Sequence, residues 1–149
     1  NKQFCSSTWL RSLEQLDYLE EPDMFHDVFG HIPLLSNKVF SEFIHEFGKL
    51  GVKNSENEER VIQLQRLYWF TIEFGLIDQD GPKVFGAGIA SSYGETIYSL
   101  DEKTERVPFD LDEILNTYFE TDKIQPKYFM IDSMEQLYQA ILALKERWK

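Results

Sequence analysis

One cysteine, Cys5, is all the chain has. No internal disulfide can form, so nothing calls for an oxidising compartment. No apolar run reaches the roughly 20 residues that span a bilayer, and no charged-then-apolar leader opens the sequence. Positive charge is scarce too: 15 Lys and Arg against 26 Asp and Glu leave a net charge of −11. An acidic surface repels phosphate backbones and anionic lipid, which argues against nucleic acid or a membrane as partner. Internal repeats and low-complexity linkers are absent. What these absences leave is a cytoplasmic enzyme.

Apolar residues make up 42% of the chain and aromatics 15%, enough for one folded domain with a modest core over residues 1–149. Val39, Phe40, Phe43, Phe47 and Leu50 recur at helical spacing, with Ser36 or Asn37 as cap and Gly51 as stop. A second helix follows a Ser55 cap and acidic residues that suit a helix N-terminus, and it turns strongly apolar from Val61 through Leu76. The run LIDQ, the turn DGP and the run KVFG read as a hairpin. AGIASSYGETIYSL becomes helical from about Ser91, and PFDLDEILNTYF is another amphipathic helix. PKYFMID reads as a strand, and a terminal helix capped by Ser133 buries Leu137, Ile141 and Leu144. The fold class expected is mostly α with a small β element of two or three strands.

Two of the three histidines stand in EEPDMFHDVFGHIPLL. Five residues turn a side chain by about 140° around an unbroken α-helix, so His26 and His31 would not share a face. The reading is a short helix from Pro22 to Gly30, where a left-handed glycine ends it and Pro33 blocks its continuation. His31 then folds back toward the point that His26 faces. Glu73 lies in LYWFTIEFGLI, among apolar and aromatic neighbours, with Arg66 two turns away as the nearest cation along the helix. An ionised carboxylate there costs several kcal/mol unless a cation compensates it, and a metal ion is such a cation. Two imidazoles and a carboxylate ligate non-heme Fe(II) with open positions, and they also ligate catalytic zinc. The ligand set therefore leaves three readings. One is oxygen chemistry in the dry pocket of Trp69, Phe70 and Phe74. The second is hydrolysis with Asp27 or Glu95 as base, and the third is metal binding without catalysis. His45 falls off its apolar stripe and reads as a solvated surface imidazole.

The segments EPDMFHDVFGHIPLL, LYWFTIEFGLI and GAGIASSYGE, in this order and spacing, resemble the pterin-dependent aromatic amino acid hydroxylases. The bacterial type that acts on phenylalanine is nearest in kind, and the resemblance runs from about Trp9 to about Gln136. It implies the catalytic-domain fold of that family. It also implies Fe(II) and a tetrahydropterin as cofactors, with O2 and L-phenylalanine as substrates and L-tyrosine as product. Tyrosine or tryptophan is the alternative substrate within the family. The resemblance gives the iron ligands as His26, His31 and Glu73, and Arg11 as the grip on the substrate carboxylate. Trp69, Phe74 and Pro22 become walls around the substrate ring, and Gly88 and Ser91 allow its close approach. Ser91 also holds His26, and Glu95 supports the arginine and serine. Tyr68 stands beside iron and pterin, and Asp27 faces the pterin. The family's pterin wall and the loop beside it lie well upstream of the first histidine ligand. The chain opens on Asn1 rather than Met, so it is expected to be an N-terminally truncated catalytic domain, monomeric, that binds iron but turns over poorly.

Overall fold

The computed structural model describes residues 7–16 and 21–149; Asn1 and Cys5 lie outside them. Six α-helices, two π-helical segments, two short 3-10 turns (Leu13–Gln15 and Pro33–Ser36) and one four-stranded sheet are the elements of the described residues. α1 (Lys38–Lys53) begins where the Asn37 side chain accepts the Phe40 N–H at 3.1 Å. It does not stop at Gly51. It runs two residues further, to Lys53, and is closed by Asn54, whose backbone N–H and side-chain amide both reach the Leu50 carbonyl, the latter at 2.8 Å. A partner for an orphan carbonyl decides where the helix ends, and the glycine does not. α2 (Glu58–Tyr68) is capped by Asn57, not by Ser55, with the Arg60 N–H at 3.0 Å from its side chain.

The helical path continues past Tyr68. It underwinds into a π segment, Trp69–Glu73, closed by the Phe74 N–H on the Trp69 carbonyl at 2.8 Å. The chain then forms β1 (Leu76–Asp78) and β2 (Pro82–Val84), the expected hairpin, turning through Asp80 (φ 56°) and Gly81 (φ 106°). α3 (Ala87–Ala90) starts four residues earlier than the sequence suggested. α4 (Tyr93–Leu100) follows after a break at Ser91 and Ser92, and the Ser92 hydroxyl caps it by accepting the Glu95 N–H. β3 (Glu105–Pro108), which the sequence reading missed, runs parallel to β4 (Lys127–Ile131), with α5 (Leu111–Asn116) between them. The sheet order is β2-β1-β4-β3, with β1 also parallel to β4. α6 (Met134–Arg147) closes the chain; Ser133 sits at its start without a side-chain capping bond. Leu137, Ile141 and Leu144 of α6 are fully buried against Phe40, Phe43 and Leu50 of α1 and the apolar face of α2. Among the described residues no helix is long and apolar enough to cross a membrane.

The segment around the first histidines differs most from its reading. Asp23, not Pro22, starts the helix: its side chain accepts the His26 N–H at 3.0 Å and its carbonyl the Asp27 N–H at 3.1 Å. The chain does not terminate at Gly30. It forms a second π segment, His26–His31, in which the Ile32 N–H reaches the Asp27 carbonyl at 3.3 Å. A π-helix bonds residue i to i+5, so residues five apart lie on nearly the same face. The i, i+5 histidine spacing that does not suit an α-helix suits this one.

α3 lies between the two π segments and sets how closely they approach. A Cβ on Gly30 would stand 2.9 Å from the Ala87 Cβ, and one on Gly86 only 2.4 Å from the Glu73 carbonyl oxygen. Gly30 against Ala87, and Gly86 against the Glu73 backbone, let two distant stretches of chain bring their side chains to one point.

Candidate metal centre

The Nε2 atoms of His26 and His31 lie 3.0 Å apart. Glu73 reaches them with Oε2 at 3.5 Å and Oε1 at 3.3 Å. An ion about 2.1 Å from each donor would see them at angles of roughly 90° to 115°, given separations of 3.0–3.5 Å. The three residues therefore fit one metal ion held on one face, with further positions open, as in two-histidine, one-carboxylate centres. Among the described residues the basic side chains within 4 Å of the Glu73 carboxylate are these two imidazoles. Arg66 turns away and donates to the Leu115 carbonyl at 2.7 Å.

The neighbours orient the donors. Ser91 Oγ lies 2.8 Å from His26 Nδ1. In the tautomer that donates this Nδ1–H, Nε2 offers its lone pair to a metal. Burial pushes the His26 imidazole below its usual pKa, which favours the neutral, ligating form. Burial and the nearby Glu73 carboxylate raise the Tyr68 phenol, so it stays protonated as a donor toward Glu73.

Beside the donors is a cleft of about 240 Å³. It brings together ten of the twelve residues expected from sequence: Arg11, Pro22, His26, Tyr68, Trp69, Glu73, Phe74, Gly88, Ser91 and Glu95. His31 meets the other donors but does not line the cleft. Asp27 lies outside it, with Oδ2 accepting the Ser7 N–H at 2.7 Å. Glu21, Ser92 and Thr121 line the cleft without having been singled out.

Three details differ from expectation. Arg11 is already a partner in a pair: Nε and one terminal nitrogen donate to Asp23 at 2.9 and 2.7 Å, and the other terminal nitrogen donates to the Ser91 carbonyl. Asp23 is fully buried, and Arg11 holds its carboxyl far below the usual range. Of the five guanidinium N–H groups, one on each terminal nitrogen remains without a bond to a described residue. Asp at a helix start is a capping signal that could have revealed Asp23. The Glu95 carboxylate is bonded elsewhere than to Arg11 or Ser91. It accepts the Gln125 backbone N–H at 3.0 Å and the Tyr128 hydroxyl, and burial raises its pKa. At Gly88 the close approach is made by the protein itself, because a Cβ there would lie 2.9 Å from the Phe74 ring.

A mostly helical domain with a two-histidine, one-carboxylate site beside an aromatic cleft defines a non-heme metal-centre class. A family model described as biopterin-dependent aromatic amino acid hydroxylase matches residues 2–147, and the chain belongs to that family. It is 49% identical over 140 residues to a phenylalanine-4-hydroxylase of Pseudomonas aeruginosa, covering 93% of this chain and 53% of that protein. It is 50% identical over 142 residues to the Chromobacterium violaceum phenylalanine-4-hydroxylase, covering 94% and 48%. A crystal structure of the Chromobacterium violaceum enzyme with bound iron(III) and 7,8-dihydrobiopterin superposes with a TM-score of 0.84 at 51% identity, over 91% of this chain and 50% of that one. The chain spans about half the length of the curated relatives it matches.

Proposed function

We propose that residues 1–149 carry the iron centre and substrate cleft of a phenylalanine 4-monooxygenase, within a single catalytic domain. The observation that carries this reading is the set of three donors, 3.0–3.5 Å apart, beside an aromatic cleft that also presents Arg11. Iron and a tetrahydropterin, when bound, supply the activation of O2 and the oxygen atom delivered to the substrate ring.

The chain's own residues bind, orient and exclude water. His26, His31 and Glu73 hold Fe(II), and the Ser91 hydroxyl fixes the His26 ring. The two remaining terminal N–H groups of Arg11 take the amino acid's carboxylate as a fork. Trp69, Phe74 and Pro22 wall the ring, and Gly88, Ser91 and Glu95 line the cleft with them. Tyr68 donates toward Glu73 beside the metal, and Asp27 faces the pterin. Dry walls keep the activated centre from side reactions with water. The hydrolase reading finds less support, because both bases it could call on are engaged, Asp27 by Ser7 and Glu95 by Gln125 and Tyr128. The protein is a cytoplasmic monomer whose partners are small molecules: L-phenylalanine, O2 and the pterin.

The test is anaerobic loading with Fe(II), metal analysis, then tetrahydropterin, O2 and each aromatic amino acid in turn, in this chain and in any longer natural polypeptide containing it. Tyrosine from phenylalanine is expected. Preferential turnover of tyrosine or tryptophan moves the assignment within the family, and activity confined to zinc-loaded protein overturns it. Glu73→Ala should strip most of the iron, while His45→Ala, on the exposed side of α1, should leave it. Arg11→Lys should raise KM for phenylalanine with iron retained, because an ammonium cannot fork. Arg11→Ala is the poorer probe. It leaves the buried Asp23 carboxylate unpaired, at about 3–5 kcal/mol of stability.

A further inference from the structure

The indole of Trp69 is held in two different ways. Its ring lies against Phe74 and Phe119, each centroid 4.5 Å away, the second nearly parallel at 13°. Stacking fixes the tilt of a ring but is nearly indifferent to rotation within its own plane. That rotation is fixed by a directional bond, Nε1–H to Gln125 Oε1 at 2.9 Å.

Gln125 is held in place for that contact. It is 2% exposed, and its Nε2 donates to the carbonyls of Glu120 at 2.9 Å and Lys123 at 2.8 Å. With both amide hydrogens on carbonyls, the amide has one orientation, oxygen toward the indole. Its backbone N–H donates to Glu95 Oε1 at 3.0 Å, and Glu95 Oε2 accepts the Tyr128 hydroxyl. A line of bonds therefore runs from β4, through a fully buried carboxylate on α4, to the indole that walls the cleft next to Glu73. Gln125 itself does not line that cleft, so any effect it has on a bound ring passes through Trp69.

We propose that Gln125 is a positioning residue of the cleft: its bond to Nε1 sets the in-plane orientation of the Trp69 indole and thereby the seat of the aromatic ring bound against it. The inference rests on the reading of the cleft as an aromatic amino acid site. The alternative is that Gln125 only ties down the 120–123 turn.

A double-mutant cycle on the iron-loaded protein separates the two. Phenylalanine affinity is measured calorimetrically without O2, and tyrosine formed per pterin oxidised is measured with it. Gln125→Met should weaken phenylalanine binding about tenfold, the scale of one hydrogen bond, and lower the yield of tyrosine per pterin. Iron content should not change. The indole N–H resonance of Trp69, assigned by its loss in Trp69→Phe, should shift and exchange faster with solvent. In the Trp69→Phe background, where no N–H remains, Gln125→Met should change affinity less than about twofold. Equal losses in both backgrounds would show a turn-tying role and overturn the inference, as would unchanged affinity and yield in Gln125→Met. Wild-type protein that binds none of the three aromatic amino acids overturns the cleft reading, and this inference with it.

Discussion

The two π segments bring their donors to one point from opposite surroundings. Trp69–Glu73 is rooted in the core: Phe70, Thr71 and Ile72 are each at most 3% exposed, and the segment continues α2 without a break. His26–His31 lies on the outside, with Val28 44% and Phe29 63% exposed; only His26 and Gly30 are buried. The carboxylate is therefore placed by hydrophobic burial. The imidazoles are placed by a few directed contacts: Asp23 on the His26 backbone, Ser91 on its ring, and Gly30 against Ala87. A site can draw its precision from two unlike sources, and the two should fail in unlike ways.

Equal cuts should cost the two segments unequally. Phe70 meets Phe129 and Phe119 edge-on, so Phe70→Ala should lose about 3–5 kcal/mol. Phe29→Ala, which removes an exposed ring and one contact to Phe25, should lose about 1 kcal/mol or less. Urea denaturation of the metal-free protein reads both, and a Phe29 loss as large as that of Phe70 would sink the distinction. Ser91→Ala tests the directed contacts of the histidine segment. It should weaken iron binding about 10–100-fold while moving the urea midpoint little, as competition with a chelator would show.

The smallest effect belongs to neither segment. Glu46 on α1 meets Lys49 at 2.8 Å and Lys145 of α6 at 2.5 Å, and these lysines lower its pKa from 4.5 to about 2. A lowered carboxylate stabilises the fold above its ordinary value, and the contribution is lost as pH falls toward the folded one. The small stability gap between wild type and Glu46→Gln should therefore be constant above about pH 5.5 and close between 4.5 and 2. Iron content at neutral pH should be the same in both. A gap that widens on acidification would reverse the sign of the interaction.

Much of this was legible because the signals were local. The Asn37 cap, the hairpin turn at Asp80–Gly81 and the Leu137, Ile141, Leu144 stripe each depend on residues a few positions apart. β3 was not legible, since Glu105–Pro108 is half-exposed and gains its strand character from parallel pairing with residues about twenty positions on. The π segments were misread because a 3.6-residue period was assumed, although the i, i+5 histidines already argued against it. The donor set and the cleft's aromatic wall stood out in the sequence. Asp23, Gln125 and Tyr128 did not, because each acts on a partner the chain order does not reveal: Asp23 on Arg11, Gln125 on Trp69, Tyr128 on Glu95.

The approach at Gly86 bears on how a mutational scan of this protein should be interpreted. A Cβ there would meet the Glu73 carbonyl oxygen at 2.4 Å and the Gly75 nitrogen at 2.5 Å. Both are backbone atoms, so no change of rotamer relieves the clash. The position is closed to every other amino acid, alanine included, although glycine contributes no donor to any ion. Its variants would be scored beside those of His26, His31 and Glu73, as losses of metal. Telling the two groups apart takes supplementation with excess iron. A displaced but intact donor set can still be filled by mass action, whereas a deleted ligand leaves a site short of one donor at any concentration.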